Sequence, residues 1–450
     1  MKNIVLVFPR ARESVWNMRL ALDVLGKRAF IPPLGLATLA ALTPPRYRVT
    51  LVDEAIAPVD FSMPCDLVGV AGYTFNAARM LEISRSFRKK GVLTAAGGPY
   101  CTTDTETCRR EFDVVFAGEA ERTWPRFLEE WEQGCHAPLY DEREFVDMAA
   151  SPAPRWDLVD LSQYTSGIVQ TTRGCMYDCE FCDVVALNGR AVRTKAVEAA
   201  EGEVLELIRR GISTIWIADD NVTADIAHAK RLLSRLAAVN RSARRPVRFI
   251  TQITADRTAD AELLSLLKAA NVYATLIGIE SANRESLIET GKWQNVRTSL
   301  AEAVRKVQAQ RIYVVGGMIV GFDADDRNVF SAQERFIAES GLLLPVISML
   351  KASKGTRLWK RLSAEGRLTD GDDGDFYSAC NFTPRNMTRE ELETGYRRLL
   401  ETVFGYPHSL KRFQKFVEQS AAAGRATEGE ALSLKDIASG LRVARHFLFR

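Results

Sequence analysis

Three cysteines, Cys175, Cys179 and Cys182, lie at C-x3-C-x2-C spacing in the stretch Gln170-Thr-Thr-Arg-Gly-Cys-Met-Tyr-Asp-Cys-Glu-Phe-Cys182. A turn-prone loop of eight residues can fold three thiolates onto three corners of a [4Fe–4S] cube. The fourth iron of such a cube then has no protein ligand and is open to another molecule. The gaps of three and two residues are too tight for a disulfide framework. A zinc site is the competing use of such residues, but zinc prefers four ligands. No fourth Cys or His lies nearby, the closest histidines being His136 and His228.

The elements that must position this loop follow from hydrophobic periodicity. Ile4–Phe8 is a short β-branched and aromatic run and predicts a buried strand. A loop through Arg12 and Trp16 leads to Pro32-Pro-Leu-Gly35 and a helix over 36–42. Strands are expected at 48–53, 67–72, 92–98 and 114–118, the last of this set, with helices at 77–90 and 123–133. Such alternation implies a parallel, doubly wound sheet. Residues 137–160 carry Pro138, Pro152 and Pro154 and read as a linker. A second β/α series begins at Gly167–Thr171, which delivers the cysteine loop at its carboxyl end. Its strands are expected at 214–218, 247–252, 274–279, 312–320 and 344–350, with helices at 195–210, 225–239, 261–270, 296–308 and 328–340. About six units are too few for an eight-fold barrel. Beyond Leu362 the Gly/Asp-rich stretch Thr369–Asp375 lacks the alternating ligands and late Glu of a calcium loop and reads as an ordinary loop. Thr388-Arg-Glu-Glu391 predicts a capping box opening a helix over 389–404, stopped by Gly405-Tyr-Pro407. Further helices are expected at 409–422 and 434–449, and the Arg-rich ending 442–450 reads as a solvated helix face.

Composition narrows the function. The 450 residues have ordinary globular proportions, 46% apolar and 26% charged, which does not suggest disorder. A formal charge of +3 gives no case for a nucleic-acid or anionic-membrane partner. No apolar run approaches about 20 residues, so no transmembrane helix is expected. The N-terminal apolar run is too short for a secretory signal. The other five cysteines, Cys65, Cys101, Cys108, Cys135 and Cys380, have no matching spacing and read as reduced thiols of a cytoplasmic protein.

With Phe181 just before its last cysteine, the C-x3-C-x2-C loop resembles the cluster loop of radical S-adenosylmethionine (SAM) enzymes. The resemblance implies a partial (β/α)6 barrel over 166–362, in which the open iron binds SAM and an electron from the cluster cleaves a C–S bond. It also implies roles at the strand ends. Asp219, Asp220 and Asn221 would face the SAM amino group, Gln252 would end the next strand, and Glu280 with Ser281 would meet the ribose. Gly317 and Ile319, in Gly316–Gly321, would lie along the adenine with Phe181. Acidic groups at strand ends also commonly cap the next helix. Gly355-Thr356 matches the Gly-Thr that commonly follows the sixth strand.

The first sheet resembles the cobalamin-binding domain that precedes many radical SAM barrels. The resemblance rests on Pro32–Gly35, Leu51–Asp53 and three loops, Gly72–Asn76, Gly97–Tyr100 and Gly118–Glu121. It implies cobalamin contacts from Thr74, Phe75, Asn76, Gly97, Gly98, Pro99, Tyr100, Gly118 and Glu119. Two departures stand out. The D-x-H-x-x-G motif is absent, so cobalamin would bind without a protein imidazole below the metal, and Tyr100 stands where relatives often carry His. The tail resembles that of the hopanoid-methylase branch and is expected to cover the open side of the barrel. The implied domains are therefore 1–137 (cobalamin-binding type), 138–165 (linker), 166–362 (barrel) and 363–450 (mainly helical).

The resemblance implies methylation of an unactivated carbon in a small molecule or lipid, with a flavodoxin- or ferredoxin-type electron donor. Alternatives keep the cluster with a cobalamin-free first domain, for a 5′-deoxyadenosyl-driven rearrangement or 3-amino-3-carboxypropyl transfer. A non-catalytic iron–sulfur protein is the third reading.

Overall fold

The computed structural model describes residues 1–11, 19–142, 144–369 and 380–421. The loop through Arg12 and Trp16, the Asp370–Asp375 stretch, the helix at 434–449 and the Arg-rich ending lie outside the described residues. The described residues form two compact units: Met1–Val169 with Leu205–Ile212, and Gln170–Val204 with residues 213–421.

The first unit is built on strands β1 (Asn3–Phe8), β2 (Arg48–Asp53), β3 (Leu67–Ala71), β4 (Leu93–Gly97), β5 (Val114–Ala117) and β6 (Leu139–Asp141). They form one sheet in the order β2-β1-β3-β4-β5-β6, and every pairing is parallel. Strand β1 is central, with Ile4, Leu6 and Val7 fully buried, which is why its sequence is continuously apolar rather than alternating. From β1 the chain passes first to one side and then to the other, so the order reverses between β1 and β3. In open α/β sheets that switch point opens a crevice beyond the carboxyl ends of the strands.

Strand β6 corrects the expectation that 114–118 is the last strand and 137–160 only a linker. Tyr140 is fully buried, stacks on Phe116 at 5.1 Å and donates its hydroxyl hydrogen bond to Glu130. Three residues flanked by a proline are too few to show a period of two, so only packing reveals the strand.

Six further strands form a parallel sheet: β7 (Gly167–Val169), β10 (Thr214–Ile217), β11 (Arg248–Ile253), β12 (Val272–Glu280), β13 (Tyr313–Val320) and β14 (Leu344–Met349). They run in simple sequential order, as a partial barrel requires. Between β7 and β10, the short hairpin β8 (Thr172–Arg173) and β9 (Arg193–Thr194) closes the base of the cysteine loop. The register aligns Gln252, Leu276 and Val315 on one face, and Gly278, Gly317 and Val346 one layer further on. These residues are partly exposed while their neighbours in sequence are buried, which marks this face as the open interior.

The helix expected at 296–308 forms over Leu300–Gln308, and two short helices that were not expected, Arg284–Glu289 and Trp293–Val296, precede it. Gly291, at φ +72°, makes the turn after the first. The capping box at Thr388 forms as its sequence predicts: the hydroxyl accepts from the Glu391 N–H and Glu391 accepts from the Thr388 N–H. The helix Arg389–Phe404 packs on β14 and on Val329–Ser340, with Gly395 admitting the Phe330 ring. That helix stops at Phe404 as expected, and Pro407 falls in the first turn of the next helix, Tyr406–Ala421, where proline is tolerated. Among the described residues no helix is long and apolar enough to cross a membrane.

Candidate functional site

The cysteine loop leaves β8 and is fastened from several sides. Asp219, at the carboxyl end of β10, accepts the backbone N–H groups of Thr171 (2.6 Å) and Thr172 (3.0 Å) and the Thr171 hydroxyl (2.5 Å). Asp220 accepts the N–H of Gly174 (2.9 Å) and the Asn188 amide (2.8 Å). Gly174, at φ +90°, could not carry a Cβ, which would lie 2.5 Å from the carbonyl oxygen of Ala191. These bonds give both carboxylates a part in holding the cysteine loop, which the sequence did not suggest. Burial pushes the Asp219 carboxyl up to about 6, against the opposing hydrogen bonds from Thr171 and Thr172.

Asn221 differs from its neighbours. It is buried, its Oδ1 accepts from Thr223, and its Nδ2 has no hydrogen-bond partner.

At the far end of the loop, the Glu180 carboxylate accepts two hydrogen bonds from Arg361, at 2.7 and 3.2 Å. Arg361 and Arg367 both reach Asp323, at 2.7 and 2.6 Å. Burial works against the Asp323 carboxylate, but these two guanidinium groups outweigh it and hold it below the usual range. Arg357 donates to the carbonyl of Asp178 (2.7 Å), and Thr356 caps the helix that carries both Arg357 and Arg361. The Gly355-Thr356 pair thus starts the helix that clamps the loop.

Strand β12 contributes a buried ion pair. Glu280 and Lys292 meet at 2.6 Å, both less than 9% exposed. Glu280 sits at φ +63°, after a register shift between Gly278 and Glu280, a conformation that costs a side-chain-bearing residue about 1–3 kcal/mol. A Cβ on Gly278 would lie 2.3 Å from the Glu280 carboxylate and 2.9 Å from the Lys292 ammonium, so glycine there is a condition of the pair. Ser281 is fully buried and accepts the N–H of Asn283, which gives it a turn rather than a ribose to hold. Gln252, Gly317 and Ile319 lie on the open face, and Phe181 packs against Phe322 at 5.7 Å.

Burial raises the thiol pKa of Cys175, Cys179 and Cys182, and the Lys292 charge lowers all three. Among the described residues no three Cys, His, Asp or Glu side chains converge on one point, as a single zinc ion would require. Thiolates on a cube bind three separate irons, so the donor set fits the cluster better than zinc. Lys292, Gln294, Asp323 and Arg361 went unrecognised in the sequence. The signal available was a Lys and a Gln just past Glu280, in a segment too short and polar to be a barrel helix.

The carboxyl edge of the first sheet is different. Gly98 has φ +85°, and its Cβ would crowd the backbone of Gly72 at 3.2 Å. Gly118 has φ +90°, and its Cβ would lie 2.2 Å from the Glu142 carbonyl. Thr74 is exposed, and Phe75, Gly97, Pro99 and Glu119 are partly exposed. Tyr73, 46% exposed, stacks on Phe75 at 5.2 Å. Two expected contacts are corrected. Asn76 is fully buried, donating to the carbonyl of Pro9 (2.8 Å) and accepting from the Tyr73 N–H, so it staples two loops together. Tyr100 points into the core, because the first turn of its helix faces inward. His136 precedes β6 and so stands at the opposite edge, edge-on to Phe127. An edge of backbone and small residues, without imidazole, fits a broad corrin ring approached from one face.

Comparison with known proteins bears on both edges. The profile of the radical SAM superfamily matches residues 169–330, and that of a domain of unknown function, DUF4070, matches 356–447. An uncharacterized methyltransferase of Synechocystis is 32% identical over 389 residues, covering 84% of this chain and 72% of its own. The hopanoid C-2 methylase of Rhodopseudomonas palustris is 29% identical over 380 residues, covering 83% and 72%. Among solved structures, the cobalamin-dependent SAM radical enzyme OxsB, with aqua-cobalamin and SAM bound, superposes with a TM-score of 0.69 at 16% identity. That match covers all of this chain and 72% of OxsB.

Proposed function

We propose that this chain, which belongs to the cobalamin-binding radical SAM family, uses a [4Fe–4S] cluster to cleave SAM reductively and methylates an unactivated carbon of a small molecule or lipid. The observation that carries the proposal is the fastened cysteine loop, set at the carboxyl ends of a parallel sheet beside the buried Glu280–Lys292 pair. When bound, the cluster and cobalamin supply one-electron chemistry and a transferable methyl group that side chains cannot provide.

The residues of the chain hold and exclude. Cys175, Cys179 and Cys182 would ligate three irons and leave the fourth to SAM. Asn221, with its open amide, and Gln252 would face the polar end of SAM. The pairing of Gly278 with Gly317 leaves room for a flat base beside Ile319 and Phe181. Glu280 stays on the ribose side only as far as its bond to Lys292 permits, so we read it as part of an ion-paired wall rather than a free acceptor. Thr74, Phe75, Gly97, Gly98, Pro99, Gly118 and Glu119 would form the corrin cradle. On this reading residues 1–137 carry cobalamin, 166–362 carry the cluster and SAM, and the helical tail shapes the substrate pocket. Reduced thiols and an oxygen-sensitive cluster suit a cytoplasmic protein served by a flavodoxin- or ferredoxin-type donor.

Anaerobic reconstitution with hydroxocobalamin, followed by desalting and metal analysis, tests the proposal. The expected result is about four irons with retained cobalt. Cys175→Ala should lose iron and abolish SAM cleavage with its circular dichroism unchanged. Cleavage retained by that variant would overturn the cluster assignment. Four irons without cobalt would overturn the methylation reading and direct attention to the cleavage products of SAM.

A further inference from the structure

We propose that Gln294 is a positioning residue for the cluster, and that its amide hydrogen bond to Cys179 sets how readily the cluster accepts an electron. The inference rests on the reading of the cysteine loop given above. Gln294 is 5% exposed and its Nε2 lies 3.8 Å from the Cys179 Sγ. Its Oε1 has no hydrogen-bond partner, so the sulfur contact is the polar interaction that orients the amide. The reverse orientation would turn a carbonyl dipole towards a thiolate. A buried amide is retained at this cost only where its donor is matched.

The neighbouring residues fix the donor in place. Asn295 donates to the carbonyls of Gly278 (2.8 Å) and Ile279 (2.9 Å), pinning the short helix Trp293–Val296 to the end of β12. The carbonyl of Thr290 accepts the N–H of Glu180, tying the same segment to the cysteine loop (2.9 Å). The backbone that carries Gln294 is therefore held between two anchors beside the cysteine loop.

Reduction adds an electron to the cube and raises the charge density on its thiolates. A hydrogen-bond donor to one of those sulfurs stabilises the reduced form more than the oxidised form, which raises the potential. Lys292, two residues earlier, acts in the same direction through its charge. Gln294 needs no contact with SAM or substrate to do this.

The test uses the full chain, reconstituted anaerobically as wild type, Gln294→Leu and Gln294→Glu, with iron counted and the midpoint potential measured by EPR-monitored titration. All three should hold about four irons. Gln294→Leu should show a reduced-to-oxidised ratio about tenfold lower at the wild-type midpoint, a shift of about 59 mV to lower potential. Gln294→Glu should fall lower still, because it sets a negative charge beside the sulfur. Full iron occupancy with an unshifted or raised midpoint in Gln294→Leu would overturn the inference. Should Gln294→Leu lose iron, Gln294→Glu decides the matter, and an unshifted or raised midpoint there overturns it equally. A wild-type chain without a four-iron cluster would overturn the reading beneath it, and this inference with it.

Discussion

The two sheets are both parallel, both six-stranded and both open at their carboxyl edges, yet those edges carry different proportions of charge and glycine. The edge of the second sheet carries carboxylates, guanidinium groups and an ammonium group, nearly all tied to one another or to the cysteine loop. The edge of the first carries the glycines Gly97, Gly98 and Gly118 and a stacked aromatic pair, with an ion pair, Glu54–Arg79, beyond β2. Charge at fixed positions is needed where thiolates must be held and a cluster poised. Surface shape is needed where a broad ring must approach the backbone. A common fold therefore says little about what an edge binds, and the side chains placed on it say much more.

The sharpest way to break this contrast is to remove one charge from the second edge. Lys292→Met leaves Glu280 buried without its partner, which costs about 3–5 kcal/mol. Chemical denaturation should show that loss, and reconstitution should show lower iron retention with cobalt retention unchanged. An undiminished stability would mean that the pair is not what holds this edge.

A smaller effect separates burial from pairing. Burial raises the folded-state pKa of Asp219 to about 6, above the ordinary range of an aspartate. A raised carboxyl binds more protons folded than unfolded across that interval, so stability should fall as pH rises from about 4 to 6 and then level off. The difference approaches about 3 kcal/mol at most. Subtracting the unfolding profile of Asp219→Asn from that of the wild type isolates this term. A difference that rises with pH would show that the Thr171 and Thr172 bonds dominate burial.

The smallest change belongs to the first edge. Gly118→Ala forces a side chain into a left-handed conformation against the Glu142 carbonyl, at about 1–3 kcal/mol. It should lower cobalt retention several-fold while leaving the iron count at the wild-type level. Parallel loss of both metals would show that the two edges are not independent.

The sequence was most informative where a local rule acts alone. The cysteine spacing, the buried run Ile4–Phe8, the β/α alternation and the Thr388 capping box each depend on residues close together in the chain, so each was legible. Strand β6 escaped because three residues carry no periodic signal. The two short helices Arg284–Glu289 and Trp293–Val296 escaped because each is too brief to show a period, and Gly291 turns the chain between them. Asp219 and Asp220 were placed at the strand end, but their hydrogen bonds to the loop were not legible, since the donors lie 46–48 residues away.

Sequence alone thus determined which chemistry this protein can host, because ligand type and spacing are local properties of the chain. Tertiary structure alone decided which groups are free to do it. Lys292 faces Glu280, Gln294 faces Cys179, Arg361 grips Glu180, and Tyr100 turns into the core. Those outcomes depend on burial and on partners distant in sequence, since a charged or amide group taken out of water must find its match wherever the fold supplies one.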